Sequence, residues 1–180
     1  MTEKLETPTL AEVVDAFHTL FSPQLAAGWD ASGLVAGRGA AKVSTVLFAV
    51  DALTATAEEA VAEGAQLLIT HHPLLLRGAK FIPDSDYKGN VLHILIEGGC
   101  GLLGAHTNAD AAVEGVNEAL CDAIGLIDRE PLTEAQTQVL DEQEHAVGTG
   151  RLGTLPEELT LKELAERLAA ALPATAGGLR

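Results

Sequence analysis

Gln66-Leu67-Leu68-Ile69-Thr70-His71-His72-Pro73 is the stretch that decides how this chain is read. Gln66 to Thr70 is a short apolar run of strand length, and it delivers two histidines and a proline. Gly101-Leu102-Leu103-Gly104-Ala105 repeats the arrangement and leads into His106-Thr107-Asn108-Ala109-Asp110. Imidazole and carboxylate groups therefore stand just past the carboxyl ends of two strands. In open α/β sheets that edge is where ligands bind. Histidine with aspartate at such an edge points to metal chemistry.

Around these two strands the sequence alternates helix and strand. Thr9-Leu10-Ala11-Glu12 is a capping box, and it opens an amphipathic helix to about Phe21 with Val13, Val14, Phe17 and Leu20 on one face. A glycine-rich loop carrying Trp29 follows, then a strand from Val43 to Val50 that ends at Asp51. Ala55 to Glu63 reads as a helix closed by Gly64. Leu74 to Tyr87 reads as a loop, and Asn90 as the cap of a helix running to Glu97. Val113 to Ile124 reads as a helix stopped by Gly125. Such alternation favours right-handed crossovers. The predicted fold class is α/β, a mainly parallel sheet flanked by helices, with the start of a second, smaller α/β domain.

The domain carrying the histidine motifs is predicted over residues 1–132. Residues 133–180 are predicted to be a linker plus part of the second domain. Thr133 to Glu144 is polar and reads as the linker; Ala146 to Leu155 reads as a strand around three glycines. Thr160-Leu161-Lys162-Glu163 is a second capping box, opening a helix to Leu172. One strand–helix unit cannot bury a core alone, so the remainder of that domain is expected to be missing. The end, Gly177-Gly178-Leu179-Arg180, reads as the entry to a further strand.

Composition narrows the partners. The chain has 180 residues with 26 acids against 11 bases, a formal charge of −15. That charge repels nucleic acid and anionic membrane surfaces, so neither is expected as a partner. A metal ion could still attract a phosphate locally. Hydrophobic residues make up 47% and aromatics 3%, so Ala, Leu and Val must supply the core. Two cysteines, Cys100 and Cys121, sit inside apolar segments and imply no disulfide framework, which fits a reducing cytoplasm. The first residues lack a basic region followed by an apolar stretch, so no signal peptide is expected. No apolar run approaches the roughly 18 residues of a membrane span.

His71 and His72 are adjacent, and successive side chains of an extended chain point to opposite sides. Pro73 holds His72 in an extended region, which preserves the divergence. The pair therefore suits two ions of a close pair better than one tetrahedral ion. The plain alternative is a loop pair, one ring packed and one solvated. Asp110 is a hard oxygen donor four residues after His106, and His106 could be a ligand, a supporting donor or a proton shuttle. The plain alternative there is a capping turn ahead of the next helix. Gly148-Thr149-Gly150-Arg151-Leu152-Gly153 matches a dinucleotide-binding pattern literally. No helix opens directly at its end and no acid stands ~20 residues on, so it is read as a glycine-bearing strand or hairpin. His18 and His93 fall within helices and His145 in a polar stretch, where structural or solvated roles are expected.

Gly28-Trp29-Asp30-Ala31-Ser32-Gly33-Leu34, Thr70-His71-His72-Pro73 and His106-Thr107-Asn108-Ala109-Asp110 together resemble three ordered motifs of the Nif-three-like family, the GTP cyclohydrolase I type 2 homologues. Gly115-Val116-Asn117 and Gly125-Leu126 also stand where that pattern expects them, and the match runs from about Leu10 to about Leu172. Ala31 stands where many relatives have Asn. The resemblance implies an α/β fold with a two-metal site, often within a toroidal homohexamer. It implies His71, His72 and Asp110 as metal ligands, and two divalent ions per complete chain: zinc, iron, manganese or nickel. It implies a hydrolase acting on a nucleotide or related small molecule, by a metal-activated water. The other reading is a non-enzymatic metal carrier or a ring-forming interaction scaffold. Family members run longer and complete the site with a late H-x-x-x-E segment; no late segment of that kind occurs here.

Overall fold

The computed structural model describes residues 6–133 and 136–174. The predicted glycine-rich end at 177–180 lies outside the described residues. The chain divides into two compact units, one running to Ala109 and one beginning at Asp110.

The first unit is built on a four-stranded sheet in the order β1-β4-β3-β2. Its strands are β1 (Gly33–Ala36), β2 (Val46–Ala49), β3 (Leu67–Thr70) and β4 (Gly101–Gly104). β2, β3 and β4 are parallel; β1 runs antiparallel beside β4. Every residue of β3 and β4 is buried, as expected for central strands covered on both faces. The strand period of two sorts their side chains. Leu68 and Leu102 pack with Ala57 and Ala60 of α2 (Thr54–Ala62) and with Val91, Leu92 and Leu95 of α3 (Tyr87–Glu97). Leu67, Ile69 and Leu103 pack with Leu10 and Val14 of α1 (Leu10–Leu20). The predicted α/β class, a mainly parallel sheet flanked by helices, is the observed one.

Local boundaries moved where local chemistry competes. The Thr9–Glu12 capping box forms as read. β1, however, lies in what the sequence presents as a glycine-rich loop. Gly33 (φ 138°) and Gly37 (φ 153°) frame it in a backbone region that L side chains rarely adopt, and only pairing with β4 makes the segment a strand. α3 starts at Tyr87, capped by Asp86, whose side chain accepts from the Lys88 N–H at 2.9 Å. Asn90 is inside that helix rather than at its cap.

The loop before α3 rests on Gly89. A Cβ there would fall on the Pro83 carbonyl. His93 Nε2 meets the Ile82 carbonyl at 3.1 Å, fixing the same stretch from one turn further along α3. Gly89→Ala is therefore expected to destabilise by about 2 kcal/mol, the range for an overpacked site. A thermal melt within ~0.5 kcal/mol of the parent protein would show that Pro83 does not lie over α3.

The second unit contains α5 (Val116–Ile124), α6 (Leu161–Ala171) and two antiparallel ribbons. β5 (Ile127–Pro131) pairs with β8 (Arg151–Thr154), and β6 (Gln136–Leu140) with β7 (Gln143–Val147). The polar stretch expected to be a linker is therefore largely a hairpin. Asp141 (φ 49°) and Glu142 (φ 62°) turn it, both left-handed as a two-residue primed turn requires. Asp-Glu lacks the glycine that would have announced that turn. The buried position of β6 is a glutamine: Gln138 is 5% exposed, and its Oε1 accepts from the Val113 N–H at 2.9 Å, while β7 buries Val147. The expected strand over Ala146–Leu155 is two strands, because Gly148-Thr149-Gly150 is the turn between β7 and β8. The helix expected from Val113 begins at Val116, after Glu114 at φ 57°. The second capping box, Thr160 with Glu163, forms as read. The unit begins at Asp110 rather than near residue 132, because α5 packs with α6 and β8.

Candidate metal centre

Register gathers the site. Ala49 of β2 lies opposite Thr70 of β3, and Thr70 opposite Gly104 of β4. Three parallel strands thus end level. β1 starts at Gly33 opposite Gly104, so the residues just before it reach the same edge. Asp30, Asp51, His71, His72 and His106 collect there from four connections.

Backbone bonds set the histidines in place. The His71 N–H donates to the Ala49 carbonyl at 3.1 Å, the His72 N–H to Val50 at 2.9 Å, and the Ala105 N–H to Thr70 at 2.9 Å. The buried Thr70 hydroxyl donates to the His72 carbonyl at 3.0 Å and curls the chain. Regular strand stops at Thr70, so strand alternation does not send the two rings to opposite sides. Their centroids are 5.1 Å apart at 49°. The His106 ring lies 5.2 Å from His71 and 5.8 Å from His72. One nitrogen from each of the three histidines lies within 4.8 Å of the others.

All three imidazoles are held through Nδ1. His71 Nδ1 meets the Ala105 carbonyl at 3.0 Å, His72 Nδ1 the Asp51 carboxylate at 2.7 Å, and His106 Nδ1 the Asp30 carboxylate at 3.0 Å. A carbonyl only accepts, and so does an ionised carboxylate. Each Nδ1 therefore carries a proton, and the neutral ring then presents its lone pair on Nε2. Metal-binding histidines are prepared in this way.

Asp30 is a hub. Its side chain is shielded from solvent. It accepts from Ala31 N–H (2.7 Å), Ser32 Oγ (3.0 Å), His106 Nδ1 (3.0 Å), Thr107 N–H (3.0 Å) and the Thr107 hydroxyl. Burial pushes its carboxyl up, but the Thr107 and His106 side chains and two backbone N–H groups outweigh that and hold it far below the usual carboxylate range. The Thr107 hydroxyl in turn accepts from the Ala27 N–H at 2.9 Å. Asn108 is buried and ties the start of α4 (Thr107–Ala111) to the Phe21 carbonyl at 2.8 Å.

His71 and His72 thus come together, and His106 joins them as a third imidazole. Asp110 is not one of the three clustered groups; it lies on α4 and opens the second unit. His93 and Glu97 share an H-x-x-x-E spacing mid-chain on α3, with Nδ1 to Oε1 at 3.7 Å. His145 lies in β7 and His18 in α1. Sequence reading named both supporting carboxylates, Asp51 at the end of a strand and Asp30 in the Trp29 motif, but gave neither a role. Asp51 stands two residues past β2, beside β3. Asp30 had no place at this edge while β1 was unrecognised.

Fold and site together define an α/β protein with a strand-end cluster of three histidines whose donor set suits a divalent ion. The chain belongs to the DUF34/NIF3 (NGG1p interacting factor 3) family, whose model matches residues 8–179. A Streptomyces coelicolor protein named GTP cyclohydrolase 1 type 2 homolog is 46% identical over 173 residues, covering 96% of this chain and 59% of that protein. A Mycobacterium tuberculosis protein of the same name is 44% identical over 117 residues, covering 65% of this chain and 30% of that one. The chain thus spans less than two thirds of these relatives' length. Among solved structures, a Bacillus cereus protein related to NIF3 superposes with a TM-score of 0.82 at 22% identity, covering 93% of this chain and 71% of that one. Among the described residues, no helix is long and apolar enough to cross a membrane.

Proposed function

We propose that His71, His72 and His106 hold divalent metal and that the protein is a metal-dependent hydrolase acting on a nucleotide or related small molecule. One observation carries the metal reading: three clustered imidazoles, each with Nδ1 committed to an oxygen acceptor. Donors on one tetrahedral zinc stand roughly 3.4 Å apart at Zn–N distances of about 2.1 Å. A set spread over up to 4.8 Å accommodates one ion with small ring movements, or a pair of ions sharing the cluster. Imidazoles suit zinc, iron or nickel, and Asp110 as a further oxygen ligand widens the range to manganese. We assign Asp110 that role and two ions to the complete site. When bound, a divalent ion supplies a Lewis acid and a water that ionises near neutral pH. The chain's own part is to hold that arrangement: Asp51 and Asp30 orient His72 and His106, and the Ala105 carbonyl orients His71.

The nucleotide substrate rests on the name shared by the relatives. We further propose a homo-oligomer, a toroidal hexamer by resemblance. Phe48 and Val50, 68% and 60% exposed at the β2 edge of the sheet, favour a covered edge. A reducing cytoplasm fits Cys100 and Cys121, both buried and unbridged. The test combines metal analysis with turnover. Protein extended to the relatives' full length and incubated with zinc, manganese, iron or nickel is expected to retain close to two ions per chain and to convert GTP or a related nucleotide only when metal is present. Two retained ions without turnover of any nucleotide would favour the metal-carrier reading. Failure to retain any ion would overturn both.

A further inference from the structure

The three histidines are oriented by unequal supports. His71 leans on a backbone carbonyl, which no side-chain change can remove. His72 and Asp51 are each 51% exposed, so water competes for that bond. Asp30 differs from both. It is shielded, and its five donors come from two separate segments, residues 31–32 and residues 106–107. A carboxylate offers about four lone-pair sites. Asp30 is saturated, so it cannot also be a ligand, and it cannot turn away from His106.

We infer that Asp30 is the positioning residue of the site: it fixes the His106 ring and its Nδ1–H tautomer before any ion arrives, so that Nε2 is presented ready to bind. The inference rests on reading the trio as a metal centre. It assigns Asp51 the lesser role, since a half-exposed partner restrains its ring weakly.

Nitrogen-15 spectra of histidine-labelled, chelator-treated protein read the tautomer directly, with His106→Ala assigning the signal. The parent protein is expected to show His106 as the Nδ1–H form. Asp30→Asn is expected to bring up the Nε2–H form, because an amide can donate to Nδ1, and to weaken zinc binding about tenfold or more. Asp51→Asn is expected to weaken zinc binding less than Asp30→Asn does. A parent protein with His106 in the Nε2–H form would overturn the inference whether or not the Asp30→Asn protein folds. An Asp30→Asn protein with unchanged tautomer and unchanged zinc affinity would overturn it while leaving the metal reading intact. A tautomer change in a protein that never binds zinc would uphold the positioning role and defeat the metal reading.

Discussion

Zinc affinity is expected to fall about a hundredfold when His106 is replaced by alanine, and equally for His72. Four-ligand zinc sites bind with an apparent 10–16 kcal/mol, or about 3 kcal/mol per ligand, which is roughly a hundredfold each. Both rings belong to the clustered trio, so each contributes one donor. His93→Ala is the control. His93 shares an H-x-x-x-E spacing with Glu97 but sits on α3 outside the trio, and its removal is expected to leave zinc affinity unchanged. Competition against a chromophoric chelator measures all three. Trp29, the chain's single tryptophan, lies 5.8 Å from the His106 ring and gives an independent readout by its fluorescence when a quenching ion such as nickel is added. Parent-like affinity in His106→Ala would remove His106 from the site. A loss in His93→Ala as large as in His106→Ala would move the site elsewhere.

The second unit is expected to lose about 3 kcal/mol when Glu118 becomes glutamine. Arg151 is 3% exposed, and its charge is met by Glu118 on α5; its guanidinium also donates to three carbonyls, of Ala111, Gly148 and Gly150. Arg129 also reaches Glu118, at 2.7 Å, and holds Asp122 at 2.6 Å. These groups line a cavity of about 500 Å³ with His145 and Glu114. Breaking a buried pair from one side leaves the other charge without compensation, and such losses run to about 3–5 kcal/mol. The carbonyls that remain on Arg151 place this one at the lower end. Hydrogen exchange in α5 and β8 is the right probe, since the two units need not unfold together.

The same carboxylate sets a pH dependence. Burial pushes Glu118 up, but hydrogen bonds from Arg151 and Arg129 outweigh it and hold it below the usual carboxylate range. Its folded value is thus below its unfolded value of about 4.3. The stability it contributes is complete above that unfolded value and is lost as pH falls through the folded one. Glu118→Gln should flatten this acid slope. Replacing Glu118 by leucine and Arg151 by methionine together should recover part of the loss, because the Arg151 charge goes with its partner while Asp122 still meets Arg129. Exchange rates in Glu118→Gln indistinguishable from the parent's would show that the Arg151 charge is compensated elsewhere.

What the sequence determined by itself were the features carried by periodicity and by neighbours a few residues apart. Leu67–Thr70 and Gly101–Gly104 are apolar runs too short for helices, and buried central strands need nothing more. The two capping boxes are bonds between residues three apart, so they are legible wherever they occur. Histidines at the strand ends followed from those strands. Tertiary structure decided the rest. β1 exists only because β4 offers it a partner, and the β6–β7 hairpin buries Gln138 where a pattern reader expects an apolar residue. The site itself is the clearest case. Asp30 and His106 stand 76 positions apart, and Asp51 and His72 stand 21 apart. Local sequence carries no term for such distances. They close because parallel register ends three strands level and antiparallel β1 starts at the same edge, which turns scattered carboxylates into supports for three imidazoles.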